Sequence, residues 1–143
     1  MKTNNKNGFT LIELIIVMVI LGIMAAVAVP RYLDSISNAE ESAEDAVISA
    51  IKSGLKAAAN DSLYTNGRAS WPTNPFDVLS EKPAGYSTDD SDADIDGEWT
   101  FSGGRITHQR ADNSRFEWTY NKGTQDGDNA EIGTLAGRAP INN

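Results

Sequence analysis

The sequence predicts an α+β chain in which one long N-terminal helix packs on a small antiparallel β-meander. Three observations carry this. From Phe9 to Val29 the only polar side chains are Thr10 and Glu13. From Ile36 to Ala58 apolar residues return at helical spacing, and between Glu98 and Tyr120 the period changes to two. A chain of 143 residues has room for one domain of ordinary size beside the apolar segment.

The first segment is long enough to cross a bilayer, because 21 helical residues reach about 31 Å and a hydrocarbon core is about 30 Å thick. The preceding MKTNNKNG carries Lys2 and Lys6 and no acid, which holds the N-terminus in the cytoplasm and places the rest of the chain outside. Glu13 is the anomaly. A lone acid in a spanning helix costs about 2.5–3.5 kcal/mol on insertion scales, so it calls for a partner and a function. One alternative is a secretory signal peptide cut after Ala28, since Ala26-Val27-Ala28 has the small-residue pattern of such a site. That would release a secreted domain able to hold calcium or a glycan. The length of the apolar run and the acid inside it count against this reading.

Gly8, Phe9, Thr10, Leu11, Ile12 and Glu13, followed by the apolar run, Gly22 and Pro30, resemble the N-terminal signal of the type IV pilin and type II secretion pseudopilin superfamily. The resemblance implies a leader of residues 1–8 removed by a prepilin peptidase, cleavage between Gly8 and Phe9, and N-methylation of Phe9. It further implies a spanning and filament-core helix at 9–30 and a pilin-like head at 31–143. Partners would be the peptidase/N-methyltransferase, other subunits and an inner-membrane assembly platform. Glycine suits a cleavage site because the absent Cβ lets a protease approach the backbone. In a stacked filament the Glu13 carboxylate would meet the Phe9 amine of a neighbour, setting the register between subunits. Pro30 removes one helical hydrogen bond and is expected to kink the helix or loosen it near Ala26. The resemblance implies that the stretch from Gly22 to Pro30 loses helical order on assembly; a bend where the helix leaves the membrane is the other reading.

Beyond Pro30, Ile36, Ala43, Val47, Ile51, Leu55 and Ala58 form one apolar stripe, with Asn60 and Asp61 as its stop. Glu40, Glu41, Glu44 and Asp45 read as a solvated acidic face, or as a filament contact for a basic residue such as Arg31. Residues 61–98 are rich in Gly, Pro, Ser, Asn and Asp and read as a long loop with one helical turn at Phe76 to Leu79. Three strands follow, Glu98 to Phe101, Arg105 to Arg110 and Arg115 to Tyr120, separated by the turn sequences SGG and ADNS. Their alternating aromatics make an inner face for the helix stripe. From Gly123 the tail, Gly-, Asn- and Asp-rich with little apolar content, reads as an irregular wrap or as partly disordered.

NPFDVLSEKPAGY, GEWTF and RFEWTY are similar to segments of minor pilins of the mannose-sensitive haemagglutinin pilus kind and of some pseudopilins. Many adhesive major pilins close a C-terminal loop with a disulfide, and this chain has no cysteine. That favours a minor subunit, with a pseudopilin of a type II secretion system as the alternative.

Composition excludes several functions. With 12 Lys+Arg against 20 Asp+Glu and a net charge of −8, no nucleic-acid partner is expected. Thiolate metal sites and cysteine nucleophiles are ruled out, and no nucleotide-binding glycine pattern or nucleophile elbow occurs, so the chain does not read as an enzyme. Asp92, Asp94, Asp96 and Gly97 open like a calcium-binding loop, but the twelfth position is Gly103 instead of the bidentate Glu. An EF-hand is therefore rejected and a looser calcium site stays open, as does a solvated acidic loop. Asp126, Asp128 and Glu131 form a second, weaker candidate. His108, with no thiol and no acid beside it in sequence, reads as a surface or half-buried strand residue.

Overall fold

A computed structural model describes residues 8–124 and 133–141. The chain divides into two compact units that meet between Ser42 and Ala43. Helix α1 runs over Leu11–Asn66 and a 3-10 turn over Pro75–Val78. Strands β1 (Trp99–Ser102), β2 (Arg105–Gln109), β3 (Arg115–Asn121), β4 (Thr134–Leu135) and β5 (Ala139–Pro140) complete the chain. This is the expected α+β, pilin-like architecture.

In the first unit the apolar run is helical from Leu11 onward. Its most apolar 18-residue window has a mean hydropathy of 2.9, and none of it is buried within the protein. An amphipathic core helix would show one covered stripe, whereas here the apolar surface goes all round. Gly22 and Pro30 both lie inside α1, so the hydrogen bond lost at Pro30 does not interrupt the element.

The helix ends later than Asn60 and Asp61 suggest. Both are helical, and the stop is Gly67, whose φ of 70° is left-handed and whose N–H donates to Leu63 O at 2.9 Å. Asn and Asp cost an exposed helix only tenths of a kcal/mol, so they do not stop one, whereas a left-handed glycine caps the last turn.

In the second unit α1 buries Glu44, Ile48, Ile51, Leu55 and Ala59, at helical steps of four and three residues. The expected stripe is shifted: Ile51 and Leu55 are buried as predicted and Val47 only partly, while Glu44 and Ile48 lie inside. Ile48, Ile51 and Leu55 meet Phe76, Trp99, Ile106, Trp118 and Tyr120 in a single core. Each fully buried Leu, Ile or Phe contributes roughly 1.5–3 kcal/mol. Gly54 lets the helix approach the 3-10 turn, since a Cβ there would lie 2.5 Å from Val78 Cγ2.

β1, β2 and β3 form the predicted antiparallel meander, in the register Trp99 to His108 and Ile106 to Trp118. Gly103 and Gly104 have φ of 55° and 80°, the pair of left-handed residues that a two-residue hairpin of matching twist needs. Asn113 (φ 63°) serves the β2–β3 turn, and its N–H donates to Arg110 O at 3.0 Å. The outer face of β1 and β2 is not bare. Thr100 and Thr107 are fully buried, share a 2.7 Å hydrogen bond, and are covered by Ala93, whose N–H donates to Thr107 Oγ1 at 2.7 Å.

The tail is more regular than predicted. β4 and β5 both pair antiparallel with β3, through Tyr120 to Leu135 and Glu117 to Ala139. Three residues separate Leu135 from Ala139 but only two separate Glu117 from Tyr120, so the tail carries a one-residue bulge. Without it Arg138 would sit opposite Glu117, on the outer face. With it, Arg138 sits opposite Trp118 and points at the helix.

Candidate functional site

Phe9 is 90% exposed and a Cβ at Gly8 would meet nothing within 4 Å. No packing within the described residues therefore requires glycine there. Most of the leader, residues 1–7, lies outside the described residues. Gly22 is equally uncrowded.

Glu13 has partners that the sequence reading missed. Thr10 donates to Glu13 Oε2 through both its backbone N–H and its hydroxyl, each at 2.8 Å. Glu13 N–H returns a bond to Thr10 Oγ1 at 3.3 Å. With α1 beginning at Leu11, Thr10 is the N-cap and Glu13 the third helical residue, the reciprocal capping box of a Thr-x-x-Glu sequence. The signal is legible in the sequence as the pattern Thr10-x-x-Glu13.

The carboxylates of the acidic loop do not converge. Both oxygens of Asp92 accept from Arg105 Nη2 at 2.9 Å, and Arg105 Nη1 reaches Glu117 at 2.8 Å. Asp96 accepts from Gln109 Nε2 at 3.2 Å. The Glu98 carboxylate accepts the N–H groups of Asp94 and Ile95 at 3.0 and 3.3 Å. Among the described residues no three acidic or histidine side chains gather where a metal could sit. A cation needing several oxygens does not fit this arrangement, in which the acids pin the loop to the sheet. Asp126, Asp128 and Glu131 lie outside the described residues.

Glu44 corrects the reading of a solvated acidic face. It is fully buried. Arg110 grips it with Nε to Oε1 and Nη2 to Oε2, both at 2.7 Å. His108 Nδ1 lies 2.9 Å from Oε1, and Arg138 Nη1 donates to Oε2 at 3.0 Å. Burial alone would push the Glu44 carboxyl up. The hydrogen bonds from Arg110 and His108, the Arg110 charge and the Arg138 bond outweigh it and hold the group at about 2. His108, which has no acid near it in sequence, therefore has one in space. Its ring stacks on Trp99 at 4.2 Å, and the Arg110 guanidinium lies over Phe116 at 4.1 Å. His108, Arg110 and Arg138 all meet the Glu44 carboxylate, so the cluster ties helix, sheet and tail together.

Comparison with known proteins assigns the N-terminal segment. Residues 3–29 match the family described as the prokaryotic N-terminal methylation motif. The type IV narrow pilus major component PilA5 of Thermus thermophilus is 52% identical over 46 residues, 32% of this chain and 40% of that protein. In its N-terminal segment the chain is similar to type IV pilins. A type IV major pilin protein PilE1 of Neisseria gonorrhoeae is 38% identical over 108 residues, 73% of this chain and 44% of that pilin. The type IV major alpha-pilin of Moraxella bovis is 46% identical over 55 residues, 38% of this chain and 35% of that pilin. The chain thus spans less than half the length of the curated pilins it matches. No solved structure matches.

Proposed function

We propose that the chain is a structural subunit of a type IV pilus-like filament, inserted in the bacterial inner membrane, cut after Gly8, N-methylated at Phe9 and polymerised through its N-terminal helix. The observation that carries this is an apolar helix, unburied within its own chain, that starts at the methylation motif and holds one carboxylate, Glu13. A helix apolar all round needs either lipid or copies of itself for cover, and the filament core supplies the second. The subunit acts by polymerising and not by catalysis. The lack of cysteine supports a minor subunit over an adhesive major one, because no disulfide can close a C-terminal loop.

The experiment is a Glu13→Gln variant expressed beside the native assembly machinery. It should insert in the membrane and fail to enter sheared filaments, since the neutral amide cannot form an ion pair with a neighbour's terminal amine. Normal incorporation would refute the assembly role. Intact mass of the native subunit should show a chain beginning at Phe9 with one added methyl group, and counting its copies in purified filaments tests the minor role.

A further inference from the structure

We propose that Thr10 is the internal partner that holds the Glu13 carboxylate in the unassembled subunit and yields it to a neighbour's amine on assembly. The hand-over rests on the filament reading; the holding contact does not.

Two problems meet at this helix start. The first N–H groups of any helix lack partners within it, and near lipid such groups are costly to leave unmade. A carboxylate on the same turn is costly for the same reason. The Thr10 N–H and hydroxyl both donate to Glu13 Oε2, and the Glu13 N–H is taken by Thr10 Oγ1. Each group resolves the other's deficit without a second chain. Both donors land on Oε2, so Oε1 is the oxygen presented to an arriving amine, and the incoming bond can form before the internal one breaks. Hydrolysis of the Gly8–Phe9 bond leaves the Thr10 N–H and hydroxyl intact, so precursor and mature chain share the contact. Phe9 and Leu14 stand at the flanking positions where apolar residues fix the approach of the chain to a capped helix. Thr10 is therefore a positioning residue that acts through Glu13.

The test is water–amide exchange measured by NMR on the full mature chain in phosphatidylcholine bicelles. Glu13→Ala should speed exchange at residue 10 about fivefold, the factor a lost cap carries. Glu13→Gln keeps an acceptor at the same position and should stay within about twofold of the native rate. Thr10→Val should speed exchange at residue 13, and Thr10→Ser should restore it. An unchanged rate at residue 10 in Glu13→Ala, or failed rescue by Thr10→Ser, overturns the holding contact. The two readings fail separately: if Glu13→Gln keeps its protection and still enters filaments, the amine pairing and the hand-over fall while the holding contact stands.

Discussion

Arg110 and Glu44, 66 residues apart in sequence, meet through two hydrogen bonds of 2.7 Å inside the head. The pair joins α1 to the end of β2, and Arg138 brings the C-terminal tail to the same carboxylate. Truncating one member of a buried ion pair typically costs about 3–5 kcal/mol, because the other charge stays buried without compensation. Arg110→Ala is expected to lower the stability of the detergent-solubilised chain by that order in urea melts. Arg138→Ala should cost less, since its side chain is 22% exposed where that of Arg110 is 5%. Equal losses would contradict this ranking.

The same carboxylate makes the head sensitive to acid. Folding lowers the Glu44 pKa from 4.5 to about 2, so on acidification the unfolded chain takes up this proton first. Its contribution is complete above the unfolded value and is lost as the pH falls from about 5 to about 2, amounting to on the order of 3 kcal/mol. Glu44→Gln should flatten this part of a stability–pH curve. A native curve that is level across that window would show that the carboxylate is not held as described.

Gly54 faces Val78 with no room for a side chain. Gly54→Ala gains up to about 1 kcal/mol of helix propensity yet forces a clash that costs about 1–3 kcal/mol, so the net effect is a loss. Trimming the opposing side chain should reverse it. Gly54→Ala with Val78→Ala is expected to be more stable than the sum of the single variants, and simple additivity in a double-mutant cycle would dismiss the contact.

Deleting Gly137 removes the extra tail residue and turns Arg138 toward the outer face. The deletion should destabilise about as much as Arg138→Ala, and combining the two should add little. A full additive loss would mean the bulge does something other than aim this side chain.

The sequence made the elements legible where one force dominated. The three strands were readable to within a residue because alternating aromatics and the SGG turn agree, as Trp99, Trp118 and Tyr120 in the core bear out. Glu44 was misread because charge was taken as a sign of solvent. Its partners, His108, Arg110 and Arg138, lie far along the chain, and only the sheet register and the tail bulge bring them to it. The acidic loop was legible as a loop, but its role was not: Asp92 and Asp96 serve Arg105 and Gln109. Thr10 was legible as half of a Thr-x-x-Glu capping box, a pattern embedded in the N-terminal motif.

The bulge and Pro140 also break up the β4–β5 margin of the sheet. A flat, regular margin would offer a template on which another chain's backbone could add, the usual start of disordered clumping. Here that margin is two short pieces out of step by one residue, and one of them ends in a residue with no N–H to give. Along this margin, heads crowded together at high local concentration present few backbone groups in register for another chain to pair with.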